Sequence, residues 1–259
     1  MNQAGYALVT GASSGIGECF AKALAARKWN LVLVARTEEK LSALAKELGS
    51  AYGVEVAPLP FDLSAPGAAS RLAASLQQRQ LDIGLLVNNA GFGARGRFHK
   101  LSLDRQSDML RLNIHALMEL TYCLLSPMLD KRKGVVINVS STAGFQPVPY
   151  TAVYAATKAF VTSFSMSLAE ELRPYGISVV TLCPGGTQTN FFQASHYGTR
   201  KLPGGLQEPR QVVAEALKAL DRGGGLVVPR LFNKFFLEVQ RVVPRSWVPR
   251  FSARIFREE

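Results

Sequence analysis

The chain has 259 residues, 47% of them hydrophobic, and a formal net charge of +11. That length fits one α/β domain or two small ones, and the composition excludes a disordered chain. Cys19, Cys123 and Cys183 are odd in number, widely spaced and lack a C-x-x-C pair, which argues against a disulfide framework or structural zinc and for a reducing compartment.

The elements alternate from the start. MNQAGYALVTG leads almost directly into an apolar run, with no basic-then-apolar signal segment. Residues Tyr6 to Thr10 read as a first strand, followed by glycines and a helix over Gly17 to Lys28. Asn30 to Ala35 is a second strand, uninterrupted in apolar residues after Asn30 as a strand buried on both faces should be. Thr37 is placed to cap a helix running to Leu48. Then come a strand over Val54 to Pro60, a helix over Ala68 to Gln78 and a strand over Ile83 to Asn88. Leu103 to Leu129 reads as one long helix, and Gly134 to Val139 as strand five. The run AVYAATKAFVTSFSMSLAEEL is helical and stops near Arg173, with Pro174 and Gly176 behind it. Ile177 to Leu182, a helix over Pro209 to Arg222 and a strand over Leu226 to Val228 complete the pattern. Strands alternating with helices predict βαβ units and a parallel sheet: one doubly wound α/β domain, a Rossmann fold of about seven strands over residues 1–229.

Within that helical run Tyr154 and Lys158 are four residues apart, so a phenol and an ammonium share one face. A nearby cation favours the phenolate, which suits proton transfer near neutral pH. Ser141 ends the Gly134 to Val139 strand region, thirteen residues before the tyrosine. That spacing lets a strand end and the following helix face each other across a short loop.

Between the first strand and helix lies Thr10-Gly11-Ala12-Ser13-Ser14-Gly15-Ile16-Gly17. Small residues there let the backbone approach a pyrophosphate, whose charge meets the free N–H groups and positive end of the helix. Gly11-Ala12-Ser13-Ser14-Gly15 also fits a G-x-S-x-G nucleophile elbow. That elbow needs several preceding strands, and only one is present. The three histidines, at 99, 115 and 196, lie in no hydrolase motif. Leu33-Val34-Ala35-Arg36-Thr37 ends the second strand with an arginine where NAD-binding chains carry a carboxylate, which predicts NADP, with Ser13 and Thr37 as hydroxyl partners.

Taken together, Ser141, Tyr154, Lys158 and T-G-x-x-x-G-I-G resemble the short-chain dehydrogenase/reductase family, and the resemblance extends to about residue 229. It implies an NADP(H)-dependent oxidoreductase interconverting an apolar ketone or aldehyde and its alcohol. Under that resemblance Tyr154 is the proton donor, Lys158 lowers the phenol's pKa and holds the nicotinamide ribose, Ser141 rather than Ser140 orients the carbonyl, and Asn113 supports a water chain. Cofactor contacts implied are Gly11, Ser13, Ser14, Gly15, Ile16, Gly17 and Arg36, the adenine-side pair Asp62-Leu63, and Asn89-Ala90-Gly91 of the N-N-A-G loop. Tyr154 and Lys158 join them, as do Pro184, Gly185, Thr187 and Thr189 of P-G-x-x-x-T. No metal is implied. A different-class alternative is a regulatory or scaffold protein that binds NADP without turnover.

Other expectations are coarser. Phe145, Pro147, Val148, Pro149 and Tyr150, then Phe191, Phe192, His196 and Tyr197, are candidates for an apolar substrate pocket, with Tyr150 as a wall residue. The family association implies a homodimer or homotetramer through the Leu103–Leu129 and Tyr154 helices. No basic run interleaved with aromatics precedes residue 230, so nucleic acid is not expected. No apolar run reaches ~18 residues, so the expected location is cytoplasmic. Asn138-Val139-Ser140 matches a glycosylation sequon but falls in a buried strand. Residues 230–259 depart from the family's short ending. They carry apolar residues at helical spacing (Leu231 to Val243, then Trp247 to Ile255) among arginines, which suits core or dimer packing, or contact with a membrane surface or lipid.

Overall fold

A computed structural model describes residues 5–191, 205–244 and 246–256. Phe192, His196 and Tyr197 lie outside the described residues. Seven parallel strands form one sheet: β1 (Tyr6–Thr10), β2 (Asn30–Ala35), β3 (Val56–Pro60), β4 (Ile83–Asn88), β5 (Gly134–Val139), β6 (Ile177–Leu182) and β7 (Gly225–Val227). Their order is β3-β2-β1-β4-β5-β6-β7. The order reverses between β1 and β4, which opens a crevice at the carboxyl ends of the strands where ligands of such sheets bind.

The helices are α1 (Gly15–Ala26), α2 (Glu38–Tyr52), α3 (Ala68–Gln78), α4 (Leu103–Leu110), α5 (Leu117–Asp130), α6 (Ala152–Leu172), α7 (Pro209–Asp221), α8 (Leu231–Val242) and α9 (Val248–Phe256). The sheet is covered on both faces. Val9, Leu33, Leu85 and Val180 pack with Phe20, Leu24, Leu41 and Val212 on one side. Leu8, Val32, Leu86 and Val136 pack with Leu72, Leu76, Leu120 and Leu168 on the other. Adjacent strand residues thus bury on opposite faces, which explains the unbroken apolar runs.

Several boundaries differ from the sequence expectation. The first helix begins at Gly15 rather than Gly17, because the Glu18 N–H already donates to the Ser14 carbonyl at 3.3 Å; Gly15 enters this turn with a φ of 60°, which glycine takes without strain. The second continues to Tyr52 and stops where Gly53 adopts a left-handed conformation. Thr37 occupies its N-cap position, but its side chain makes no capping bond. The Leu103–Leu129 helix is interrupted by a π-helical turn at Arg111–Ala116, which carries Asn113. Ser102 caps α4 instead, accepting from the Arg105 N–H at 3.4 Å.

Candidate active site

A cavity of about 1090 Å³ lies along the carboxyl ends of the strands. The β1–α1 turn forms one wall. Thr10 is buried and its hydroxyl accepts from the Asn89 and Ala90 N–H groups, while the Asn89 amide donates to the carbonyls of Thr10 and Gly11. These bonds pin the glycine turn to the loop after β4. The N-cap residue Ser14 places no side chain on the first turn of α1, so its N–H groups remain available to an anion. Gly11, Ser13, Ser14, Gly15 and Ile16 line the cavity, but Gly17 does not. A Cβ on Gly17 would come within 2.1 Å of the Gly11 carbonyl oxygen, so its role is to let α1 pack tightly on β1.

Further along the wall stand Arg36 and Thr37 from the end of β2, then Asp62 and Leu63 from the end of β3. The Asp62 carboxylate accepts from both the Ser64 N–H and hydroxyl, at 2.9 and 2.6 Å. Those bonds, with Arg36 nearby, hold its pKa below the usual carboxylate value. This end is polar: hydroxyls, the Arg36 guanidinium, the Asp62 carboxylate and the uncapped N–H groups of α1 are gathered along one wall.

The opposite end holds the candidate catalytic groups. Ser141, Tyr154 and Lys158 all line the cavity. Lys158 is 6% exposed, and its ammonium donates to the Val139 carbonyl at 2.8 Å. It lies 5.8 Å from the centre of the Tyr154 ring. Burial pushes its pKa down to about 8, partly opposed by neighbouring Cys183, whose own buried thiol is pushed up to about 11. Ser140 and Ser141 both reach the wall, yet they are engaged differently. The Ser140 hydroxyl donates to the Lys158 carbonyl at 2.8 Å and contacts the Thr162 hydroxyl at 2.6 Å, which ties β5 to α6. The Ser141 hydroxyl accepts only a local bond, from the Ala143 N–H at 3.1 Å.

Asn113 stands one layer behind the wall. Its carbonyl accepts from the Phe92 N–H, and its amide donates to the Phe92 carbonyl and the Thr157 hydroxyl, at 3.1, 3.0 and 3.1 Å. It therefore clips the loop after β4 to α6. Gly91 permits this approach, since a Cβ there would lie 2.9 Å from the Asn113 carbonyl oxygen.

Ala90, Gly91, Pro184, Gly185, Thr187 and Thr189 also line the cavity. Of the expected pocket aromatics, Phe191 does so and packs against Tyr154 with ring centres 5.4 Å apart. Tyr150 does not: with φ at 67° it turns away and lines a separate small pocket of about 40 Å³. Phe145, Pro147, Val148 and Pro149 likewise stand outside the wall, where Thr142, Ala143 and Gln146 are found instead.

The remaining wall comes from α8 and α9. Phe232, Phe236, Val239, Val243, Val248, Phe251 and Phe256 face the cavity, while Leu237 buries against Cys183 and Val228. Asn233 donates to the Pro229 carbonyl and sits against Gly185, where a Cβ would meet its side chain at 2.7 Å. Arg95 donates to the Phe256 carbonyl at 3.1 Å, pinning the far end. The apolar stripe was legible in the sequence; that one side of it roofs the site was not.

Comparison with known proteins agrees with this architecture. Residues 5–198 match the family model described as short chain dehydrogenase. The chain belongs to the short-chain dehydrogenase family of oxidoreductases. A short-chain dehydrogenase from Sphingobium yanoikuyae, solved in complex with NADPH, is 32% identical with a TM-score of 0.83 over 93% of this chain and 96% of that one. A 7β-hydroxysteroid dehydrogenase aligns with a TM-score of 0.87 at 27% identity, over 96% of each chain. A curated very-long-chain 3-oxoacyl-CoA reductase from Phaeosphaeria nodorum is 32% identical over 224 residues, 85% of this chain. The namesake protein from Anas platyrhynchos is 38% identical over 69% of this chain. The chain spans 64% and 58% of the length of those two curated relatives.

Proposed function

We propose that this protein is an NADP(H)-dependent carbonyl reductase or alcohol dehydrogenase whose substrate is a largely apolar ketone or aldehyde, with 3-oxoacyl thioesters a leading class. The observation that carries the reading is the buried Lys158 ammonium, held by the Val139 carbonyl beside the Tyr154 ring in the same cavity as Ser141. A lysine with a pKa of about 8 keeps its proton at neutral pH and favours the phenolate through its charge. Tyr154 is then the general acid for reduction and the general base for oxidation. Ser141, whose hydroxyl proton is not committed to the fold as that of Ser140 is, orients the carbonyl oxygen. Asn113 holds the Phe92 segment and α6 in register and supports resupply of the proton through water.

The residues present fit a nicotinamide dinucleotide. The uncapped first turn of α1 would hold the pyrophosphate, and Arg36 with Ser13 and Thr37 would hold a 2′-phosphate. Asp62 and Leu63 would border the adenine, and Gly91, Lys158, Pro184, Gly185, Thr187 and Thr189, which line the other end of the cavity, would surround the nicotinamide. When bound, that group supplies or accepts the hydride; the protein supplies position and field. The NADPH complex of the Sphingobium relative and the acyl-thioester names of the curated relatives support the cofactor and the substrate class. Exposed Leu110, Met118, Tyr122 and Met166 on α4, α5 and α6 suit a homo-oligomer built on those helices.

The test is NADPH oxidation against a panel of ketones, aldehydes, steroids, sugars and 3-oxoacyl thioesters. Turnover of apolar carbonyls, with preference for NADPH over NADH, is expected. NADPH binding without turnover of any member would leave the non-catalytic reading in its place.

A further inference from the structure

Helix α8 carries one broad apolar arc, and only one side of it belongs to the site. Phe232, Phe236 and Val239 look into the cavity. Leu231, Phe235 and Val242, at positions i, i+4 and i+11, share the adjoining outer sector and are 82%, 69% and 83% exposed. None of these three lines the cavity. Trp247, between α8 and α9, adds another large apolar side chain at 53% exposure. Such a concentration of exposed apolar groups on one short stretch marks a contact surface.

Charge identifies the occupant. Residues 230–256 carry Arg230, Lys234, Arg241, Arg245, Arg250 and Arg254 against the single acid Glu238. Arg230 and Lys234 lie at the start of α8, and Arg250 and Arg254 are exposed on α9. An exposed apolar ridge flanked by basic residues, with a tryptophan at its end, suits the interface of an anionic phospholipid bilayer. A second copy of this chain would bring the same cations face to face, which opposes a symmetric contact here. The exposed apolar residues of α4 to α6 offer oligomer contacts elsewhere.

We propose that the outer face of α8, with Trp247 and the adjoining basic residues of α9, docks this protein on an anionic lipid bilayer. No helix among the described residues is long and apolar enough to cross a membrane. Because the inner face of the same helix lines the cavity, docking sets the apolar chamber beside the lipid. Docking itself is independent of the carbonyl chemistry proposed above, since vesicle binding is read without turnover.

The experiment is co-sedimentation of the full chain with vesicles of phosphatidylcholine alone and of phosphatidylcholine mixed with phosphatidylglycerol. Binding to the mixed vesicles is expected to exceed binding to the neutral ones by about tenfold or more and to fall as salt is raised. Leu231→Ser/Phe235→Ser/Val242→Ser should abolish it while NADPH affinity is retained. Lys234→Gln/Arg250→Gln changes only charges, leaves the apolar ridge in place, and should weaken it severalfold. Absence of wild-type binding to mixed vesicles overturns the proposal, as does undiminished binding by both variants. If the serine variant instead lowers the oligomeric state in sedimentation velocity and the wild type ignores vesicles, the surface is an interface between copies.

Discussion

The Lys158 ammonium and the Tyr154 ring, one helical turn apart, are 5.8 Å from each other, and the ammonium is anchored to the last carbonyl of β5 at 2.8 Å. The pair therefore depends on two elements: α6 supplies both side chains, and the sheet fixes the direction of one of them. A lysine on an isolated helix would extend into water; here β5 draws it beneath the site and strips away its hydration.

Tyr154→Phe removes the transferable proton and keeps the ring that packs on Phe191. Turnover should fall by about 10²- to 10⁴-fold, with NADPH affinity, measured by fluorescence titration, close to that of the wild type. Near-wild-type kcat would remove Tyr154 from the mechanism.

Burial gives the cofactor-free protein a distinctive pH response. Lys158 has its pKa lowered from 10.5 to about 8, so between those values the unfolded chain binds more protons and stability rises with pH. Cys183, raised from 9.0 to about 11, acts in the opposite sense above pH 9. The lysine's gain should therefore be clearest between about pH 8 and the ordinary thiol value of 9.0. Thermal melting of the wild type minus that of Lys158→Met, without cofactor, should rise across this window. A flat difference curve would mean that Lys158 is hydrated.

Arg36 stands at the end of β2 on the cavity wall, close enough to Asp62 to depress its pKa. Loss of a charge-assisted hydrogen bond costs about 1.5–3 kcal/mol, so Arg36→Ala should raise the KM for NADPH by about ten- to a hundredfold and leave that for NADH within a factor of a few. Equal effects on both nucleotides would detach Arg36 from the 2′-phosphate.

Phe236 lines the part of the cavity contributed by the last two helices. Phe236→Ala removes a phenyl ring against which an acyl chain would bury apolar surface. It should raise the KM for long-chain carbonyl substrates by about tenfold and barely affect short ones. A rise independent of chain length would place the substrate elsewhere.

Asn113→Ala should lower the melting temperature as well as kcat, because three hydrogen bonds joining the Phe92 segment to α6 are removed together. A cost of about 1–3 kcal/mol is expected from denaturant unfolding. An unchanged stability would mean that the clip is not made in solution.

Helix and strand periods in the sequence were enough for the sheet, since apolar runs buried on both faces and helices buried on one are written directly into residue order. The glycine turn, the arginine after β2 and the Tyr154–Lys158 spacing are likewise local, each needing no more than one strand end or one helical turn. The π turn at Asn113 was not legible, because the residue's partner there is the backbone of Phe92, 21 positions away. Tyr150 illustrates the same limit: a positive φ in an irregular segment points it away from the cavity it was expected to line.

By itself, then, the residue order determined the doubly wound sheet, the cofactor-type turn and the shared face of Tyr154 and Lys158, all of which follow from short-range periodicity and backbone sterics. Tertiary structure alone decided that the apolar stripe after residue 230 serves two surfaces. A helical period states how many apolar faces a segment has. Which of them closes over the site and which meets solvent is set by the packing of Asn233 on Gly185 and of Leu237 on Cys183, residues about fifty positions earlier in the chain.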